Sequence, residues 1–225
     1  MPLPTVYVSF SSRESRSRFV AGRFGAYLRG SVLDVGCYEA PLRDLLGAAS
    51  YTGIDIAGRP DITLDIEHAE RLPFDDGAFE TVLCIDVLEH LDNLHAVFAE
   101  LVRVSSDRVV VALPNCWNTG RLRIERGAGR IAHYGLPVDM PPDRHKWFFN
   151  TSEAGEFVRA SASRLGVEVE DVFVTEKPRS PVLRTLRRIR YPGNRYQNRY
   201  STAVWAVLRK VQRGGGGTAP PVARC

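Results

Sequence analysis

The chain has 225 residues, which is enough for one domain with a full hydrophobic core. Its 44% hydrophobic and 25% charged residues exclude a wholly disordered or fibrous protein. The net charge is +4, and no apolar run approaches the roughly 18–20 residues that a membrane span needs. The N-terminus lacks the order of a secretion signal, and the four cysteines lack zinc-site spacing. We therefore expect a cytoplasmic protein.

Strand-like and helix-like segments alternate along the first half of the chain. Apolar spacing predicts an N-terminal helix over about residues 12–28 and further helices near 42–46 and 91–102. Short apolar runs predict five strands, at residues 31–36, 51–56, 62–66, 79–85 and 108–113. This alternation implies a parallel sheet covered on both faces, with its ligand beyond the carboxyl ends of the strands.

Residues 116–150 interrupt this alternation. They show no strong periodicity and carry aromatic side chains among glycines and prolines, so we expect a lid that binds the acceptor. Asn150 and Glu153 then predict a capped helix to about residue 165. A strand over 167–175, a short basic helix over 183–189 and a last strand over 203–208 follow. The glycine-rich tail, residues 214–225, is expected to be flexible, so the domain is expected to span residues 1–213.

Charge is distributed unevenly along the chain. All 26 acidic residues lie at or before Glu176. The part of the sequence from Lys177 onward contains 12 basic residues and no acidic one. Such a segment can contact nucleic acid, acidic lipid or an anionic substrate, and it can equally be a solvated face.

Each of the first four predicted strands ends at or just before an aspartate: Asp34, Asp55, Asp65 and Asp86. Any one of them could simply cap a helix. Four in register indicate a ligand with several hydrogen-bond donors and a positive charge, such as an amino group, ribose hydroxyls and an adenine amine.

The segments VLDVGCYEAPL, GIDIAG, LDIEHAERLPFDDGAFETVLCIDVLEHL and VALPN, in this order, resemble class I S-adenosylmethionine-dependent methyltransferases. The resemblance implies a Rossmann-like, doubly wound, mostly parallel α/β sheet of seven strands, with helices on both faces and a lid after the fifth strand. It also implies S-adenosylmethionine as cofactor. Asp34 and Gly36 would shape the methionine end, and Asp86 would face the amino acid moiety. Asp55, followed by Ile56, would take the ribose, and Asp65 with the amide of Ile66 would take the adenine.

The glycine-rich turn departs from the family pattern D-x-G-x-G-x-G. Tyr38 and Ala40 stand where the second and third glycines are common. Tyr38 could form a wall of the cofactor pocket with its ring. The same departure could instead mark a non-catalytic partner subunit that has lost the cofactor.

A second group surrounds the fourth strand end. Asp86, Glu89 and His90 are spaced to share one face, and with His145 they could hold a hard cation such as Mg²⁺. The group resembles the E-x-x-E-H metal motif of ubiquinone-pathway and small-RNA O-methyltransferases, with Asp in place of the first Glu. Alternatively, Glu89 and His90 serve only the helix start and core packing.

Methyl transfer to a hydroxyl is helped by a base that removes the proton. The candidates are His145, then His133, then Glu89. His145 could equally be a hydrogen-bonding residue that stabilises the lid.

These features predict an O-methyltransferase acting on a hydroxyl of a small molecule or glycan, with a sugar or oligosaccharide as the preferred acceptor. The sequence resembles actinobacterial sugar O-methyltransferases, among them those of methylmannose polysaccharide assembly. We expect neither a nucleic acid partner nor a membrane span, and a homodimer is compatible with the sequence. One rival is an RNA methyltransferase that uses the basic segment 177–213, with phosphate contacts from Arg184, Arg187, Arg188, Arg190, Arg195 and Arg199. The other rival is the non-catalytic subunit.

Overall fold

The computed structural model describes residues 1–46, 50–141 and 143–211. These residues form one sheet in the order β1-β7-β8-β6-β5-β2-β3-β4. The strands are β1 (Thr5–Tyr7), β2 (Ser31–Val35), β3 (Ser50–Asp55), β4 (Ile62–Thr63), β5 (Phe79–Ile85), β6 (Ser105–Pro114), β7 (Val167–Glu176) and β8 (Ser201–Lys210). The α-helices are α1 (Arg13–Phe24), α2 (Leu94–Val104), α3 (Cys116–Arg126), α4 (Thr151–Leu165), α5 (Pro181–Arg190) and α6 (Asn194–Tyr200).

The sheet is mostly parallel, as predicted, but the predicted number of seven strands is wrong. Among the strands described, β8 alone runs antiparallel to its neighbours, β6 and β7. The eighth strand is β1, which pairs in parallel with the outer edge of β7. The Val174 amide donates to the Pro4 carbonyl at 2.8 Å, so β1 satisfies backbone groups that β7 would otherwise leave open. Three residues are too few to show a periodic pattern in the sequence.

Helices cover both faces of the sheet. Along β2, Leu33 and Val35 enter one apolar cluster and Val32 enters the other, because successive side chains of a strand point to opposite faces. Helix α1 packs on the Val32 side through Val20 and Phe24. Helices α2 and α4 pack on the other side. The carboxyl ends of β2, β3 and β5 are therefore held at one edge, where ligands bind in such sheets.

The segment 116–150 is more regular than its sequence suggested. Its first part forms α3, which ends at Gly127 in the left-handed conformation (φ +61°). The helical spacing of apolar residues is not visible in the sequence of α3, because its buried position 120 is a glycine without a side chain. A Cβ there would lie 3.4 Å from the side chain of Ile131. Among the residues described from 128 to 149, no helix or strand forms.

Several boundaries also differ from the predicted ones. The predicted helix over 91–102 begins only at Leu94, after a short 3-10 turn over Leu88–His90. The predicted strand over 62–66 is reduced to Ile62–Thr63. Helix α6 was not predicted, whereas α4 begins with the predicted capping box of Asn150 and Glu153. The tail, residues 214–225, lies outside the described residues.

Within the described ranges, no helix combines the length and apolarity that crossing a membrane requires.

Asn115 joins the end of β6 to the C-terminal part of the sheet. This side chain is buried, and its Nδ2 atom donates to the carbonyl oxygens of Ser201 (2.8 Å), Asn198 (2.9 Å) and Gln197 (3.3 Å). The two hydrogens of this amide are therefore shared among backbone acceptors at the end of α6 and the start of β8.

We expect Asn115→Ala to lower the free energy of unfolding by about 2 kcal/mol, because it leaves buried carbonyls without a donor. Urea denaturation measures the change. The control is Asn194→Ala, which removes an exposed amide in α6 and should change stability by about 0.5 kcal/mol or less. Equal stability of both variants would contradict the role given to Asn115.

Candidate functional site

The predicted aspartates gather at the carboxyl edge of the sheet. Asp34 lies in β2, Asp55 is the last residue of β3, and Asp86 follows β5. Neighbouring parallel strands bring their carboxyl ends together, so residues far apart in sequence share one edge. Asp65 stands two residues beyond β4, at the outer end of the same row.

Asp34 is a buried carboxylate. Its Oδ2 atom accepts a hydrogen bond from the Tyr51 hydroxyl at 2.7 Å. Burial raises the pKa of Asp34 to about 6, and the negative charge of Asp55 adds to the increase. The Tyr51 hydrogen bond and the charge of Arg16 act in the opposite direction. At neutral pH the carboxylate is thus charged but poorly hydrated, a condition that favours binding of a cationic group.

Asp86 forms an ion pair with Arg16 of α1. Burial raises the pKa of Asp86, and the positive charges of Arg16 and Arg13 oppose this effect. Asp86 also adopts a left-handed backbone (φ +52°) that is uncommon for a residue with a side chain. Arg13 and Arg16 were not predicted as site residues. Their spacing places them on one face of the predicted helix, but the rule that ligands bind at strand ends does not point to residues of an N-terminal helix.

The turn after β2 keeps a glycine-like backbone although only one of its three expected glycines is present. Gly36, Tyr38 and Ala40 have φ values of +79°, +49° and +49°. Gly36 is required because a Cβ there would lie 2.2 Å from Val87. The turn is held by Asp55, whose two oxygens accept from the amides of Tyr38 (2.8 Å) and Ala57 (3.1 Å). Each oxygen retains a second lone pair, so Asp55 can still accept a hydroxyl.

The Tyr38 ring lies half exposed at this turn, with the Arg13 guanidinium 4.8 Å from its centroid. Ile56, next to Asp55, is exposed and offers an apolar surface.

The predicted adenine end is more open. The carboxylate of Asp65 accepts from the Glu67 amide at 3.0 Å and contacts His68 Nδ1 at 2.9 Å, and the His68 hydrogen bond lowers the pKa of Asp65. Ile66 is half-buried and packs against the core. Ile56 and Asp65 are therefore exposed at the ends of β3 and β4, and Ile66 lies beside them, half-buried.

Three histidines come together beyond β5. The rings of His133 and His145 stack with centroids 4.5 Å apart, and His90 meets His145 edge-on at 4.4 Å. His90 Nδ1 contacts the Asp143 carboxylate. His133 and Asp143 both come from the segment predicted as a lid, which therefore borders the site.

Glu89 lies next to these histidines and is fully buried. Neither carboxylate oxygen has a hydrogen-bond partner within the described part of the chain, and His90 Nε2 is 3.7 Å from Oε1. Burial and the nearby Asp86 raise the pKa of Glu89 well above its usual value. Donor atoms of Glu89, His90 and His145 all lie within 4.8 Å of one another. This group matches three of the four predicted metal ligands, whereas Asp86 pairs with Arg16.

The Tyr134 hydroxyl orients the imidazole of His145. This hydroxyl is 2.7 Å from Cys116 Sγ, 2.8 Å from the Trp147 carbonyl oxygen and 2.9 Å from His145 Nδ1. When its single proton goes to the carbonyl or to the sulfur, the hydroxyl accepts from Nδ1–H, and the free lone pair of His145 then lies on Nε2. Burial lowers the pKa of His145 to about 4, and the charges of His90 and His133 act in the same direction. His145 is thus a neutral imidazole at physiological pH.

Lys146 and Trp147 hold the segment 145–147 against residues 89–92, which precede α2. The Lys146 amide donates to the Glu89 carbonyl at 2.8 Å, and its ammonium pairs with Glu67 and Asp92. Trp147 Nε1 donates to the Leu91 carbonyl at 2.7 Å. These contacts fix His145 beside Glu89.

A groove of about 430 Å³ lies between α3 and α6. Its lining includes Trp117, Arg121, Ile124, Phe148, Tyr191 and Arg199. The Phe148 ring contacts the Tyr134 ring at a centroid distance of 4.8 Å, so the groove begins one aromatic ring away from His145. Glu125 also lines the groove and forms ion pairs with Arg121 and Arg199, so these charges are balanced within the protein. The aromatic faces suit a ring-shaped ligand.

The sequence and the fold both match known methyltransferases. Residues 33–112 match the family model described as a methyltransferase domain. The malonyl-acyl-carrier-protein O-methyltransferase of Geobacter sulfurreducens is 27% identical over 208 residues, which cover 85% of this chain and 68% of the relative.

Solved structures agree on the fold. A SAM-dependent methyltransferase from Archaeoglobus fulgidus superposes with a TM-score of 0.59 at 18% identity, covering 88% of this chain and 95% of that one. Magnesium protoporphyrin IX methyltransferase from Synechocystis, with bound SAH, gives 0.53 at 16% identity, with coverages of 88% and 83%. The cyclase SpnF gives 0.54 at 16% identity, with coverages of 88% and 81%. Residues 33–112 thus match a methyltransferase-domain model, and the chain shares the fold of solved S-adenosylmethionine-dependent methyltransferases.

Proposed function

We propose that the protein is an S-adenosylmethionine-dependent O-methyltransferase that acts on a hydroxyl group. One observation carries the proposal: the buried carboxylate of Asp34 and the ion pair of Asp86 with Arg16 lie beside a cluster that holds the unprotonated His145 and the buried carboxyl of Glu89. The first group fits the cofactor's amino acid moiety. The second fits removal of a proton from an acceptor. The O-methyltransferase relative supports oxygen as the methylated atom.

The cofactor residues follow from charge complementarity. An amino acid moiety carries an ammonium and a carboxylate, which Asp34 and Arg16 can each bind in its ionised form. Asp55 accepts ribose hydroxyls through its remaining lone pairs, and Ile56 covers one side of the adenine, whose amine Asp65 accepts with the Ile66 amide nearby. Tyr38 closes the turn over the pocket. When bound, the cofactor supplies a methyl group on a positively charged sulfur.

The acceptor proton goes to His145 in this proposal. Nε2 of His145 carries a free lone pair, so it can take the proton as the acceptor oxygen bonds to the methyl carbon and the sulfur–methyl bond breaks. Tyr134 and Trp147 hold the imidazole in that tautomer. His133, which stacks on His145, is the second candidate for the base, and Glu89 is the third.

Glu89, His90 and His145 also fit a divalent cation, because the two buried Glu89 oxygens have no hydrogen-bond partner among the described residues. This use of His145 is an alternative to its role as the base, since a cation would occupy the lone pair that takes the proton. A cation bound there would lower the pKa of a coordinated hydroxyl. Two imidazoles and one carboxylate suit Mn²⁺ or Zn²⁺ better than Mg²⁺, which prefers oxygen ligands.

The groove between α3 and α6 is the proposed acceptor site. Its aromatic faces would stack on the apolar face of a sugar ring, as proposed for a glycan acceptor. The groove reaches Phe148, next to Tyr134, so an acceptor lying in it would extend toward His145.

The two rival functions receive less support. Several arginines proposed to contact RNA instead stack on tyrosines of the protein, for example Arg187 on Tyr200 at 4.4 Å. A loss of cofactor binding is opposed by Tyr38 and Ala40, which keep the left-handed backbone that glycines would provide.

We expect S-adenosylhomocysteine to bind more weakly as the pH falls through about 6, because protonation of Asp34 removes the partner of the ligand's ammonium. Affinity should fall about tenfold per pH unit below that point. Calorimetric titration at pH values from about 5 to about 8, on both sides of this pKa, measures the change in affinity. In Asp34→Asn, binding should be weak and independent of pH. The exposed Asp44→Asn control should behave as the wild type, and a pH-independent wild type would refute the assignment.

We expect Glu89→Gln to reduce the affinity for Mn²⁺ or Zn²⁺ by about 100-fold, because the amide keeps the shape but loses the charge. Equilibrium dialysis with each cation and with Mg²⁺ measures binding. Asp86→Asn serves as the control and should retain the cation if Asp86 is not a ligand. Unchanged binding by Glu89→Gln would exclude this site.

We expect His145→Gln to slow methyl transfer by about 100-fold or more while S-adenosylhomocysteine binding stays unchanged. Single-turnover rates with an acceptor chosen from a panel of glycosides and phenols measure the step. Because the pKa of His145 is about 4, its protonation should not limit the rate near neutral pH. Tyr134→Phe keeps the ring but removes the oriented hydroxyl and should slow the step less. Full activity in His145→Gln would eliminate it as the base.

A further inference from the structure

Helix α5 exposes an apolar face to solvent. None of its residues is buried, and Val182, Leu186 and Ile189 are 70%, 60% and 74% exposed. Their spacing of four and three residues aligns them along one side of the helix. Three large aliphatic side chains on one short helix form a surface that water solvates poorly.

The opposite side of α5 contacts the protein, and it does so through arginines. The guanidinium groups of Arg184 and Arg187 lie 4.2 Å and 4.4 Å from the ring centroids of Tyr7 and Tyr200. A surface helix ordinarily packs its apolar side on the core and leaves its charges in water. Helix α5 is oriented the other way, so its apolar side is available for a partner.

The segment of sequence that carries this face is cationic. From Lys177 to the end of the chain there are 12 basic residues and no acidic one. Arg179, just before α5, and Arg190, its last residue, are exposed, whereas Arg188 donates to the Tyr7 hydroxyl at 3.0 Å. A suitable partner must therefore be apolar at its centre and negatively charged around it.

We infer that α5 docks the protein on the surface of an anionic lipid bilayer. Val182, Leu186 and Ile189 enter the boundary between headgroups and acyl chains, and the neighbouring arginines bind lipid phosphates. With ten residues, α5 lies in the interface rather than crossing it.

Other occupants fit less well. A second copy of the chain would bring two sets of arginines together with no acidic residue in either segment to pair with them. RNA would use the arginines but gain nothing from the aliphatic row. The remaining chain after residue 211 contains Arg213 and Arg224 and also lacks an acidic residue.

The position of α5 gives this docking a consequence for the site. Strand β7 runs parallel to β6, so its last residue, Glu176, reaches the same sheet edge as the aspartates, and α5 follows it. Tyr191, directly after α5, lines the groove between α3 and α6. Docking would bring that groove to the bilayer, where a lipid-borne acceptor could enter it. This consequence rests on the proposed function, whereas the docking does not.

Vesicle flotation of the full chain tests the inference. We expect binding to phosphatidylcholine vesicles that contain about 30% phosphatidylglycerol, weaker binding in high salt, and little binding to phosphatidylcholine alone. Val182→Ser/Leu186→Ser/Ile189→Ser should reduce the partition coefficient by about tenfold or more. All three side chains are exposed, so thermal unfolding and S-adenosylhomocysteine titration of the variant should match the wild type.

The matched control is Leu136→Ser/Val138→Ser, which removes two fully exposed aliphatic side chains from another segment and should leave flotation unchanged. Equal loss in the control, equal binding to neutral vesicles, or no flotation would each overturn the inference. Capture by polyglutamate or a short RNA without any vesicle binding would do the same. Loss of S-adenosylhomocysteine binding with retained flotation would refute the proposed function and leave the docking intact.

Discussion

Burial of negative charge at one edge of the sheet is the constraint on which the site depends. Asp34 and Glu89 are removed from water, and the partly exposed Asp86 pairs with the cation Arg16. Burying charge without a counter-charge is costly, so such groups raise their pKa or bind a cation. This edge therefore favours an ammonium at Asp34 and either a proton or a metal ion at Glu89. The fold tolerates the arrangement because it occupies the strand ends rather than the core.

The rest of the site is built from segments that surround this edge. Helix α1 contributes Arg16, and residues 133–147 contribute two histidines and their orienting groups. Lys146 and Trp147 hold the second segment against Asp92 and Leu91, which precede α2. Tyr38 and Ala40 show how a turn can preserve a glycine-like path at some cost in backbone strain, with Asp55 accepting the turn amide. The residues proposed for cofactor binding and those proposed for proton transfer are thus held in place by a small number of contacts.

Local patterns were sufficient for much of the architecture. Apolar runs located the central strands, and the rule for carboxyl ends placed Asp34, Asp55 and Asp86 at one edge. Strand β1 was missed because its three residues are ordered only by pairing with β7. Helix α3 was missed because Gly120 interrupts its apolar pattern. The grouping of Glu89, His90 and His145 was expected from the sequence, but the separation of Asp86 from it was not, since the competing Arg16 comes from a distant helix.

The sequence by itself determined the alternating elements, the row of aspartates, the histidine-bearing segment and the basic composition of the C-terminal part. These features are local, because they depend on residue type and on spacing within one element. Tertiary structure alone decided which charges meet, which nitrogen of His145 is free, and which side of α5 faces water. The amphipathic pattern of α5 predicts an apolar side packed inward, yet stacking of its arginines on tyrosines from other elements turns that side outward. Such outcomes depend on competition between partners that are distant in sequence, and only the folded chain brings those partners together.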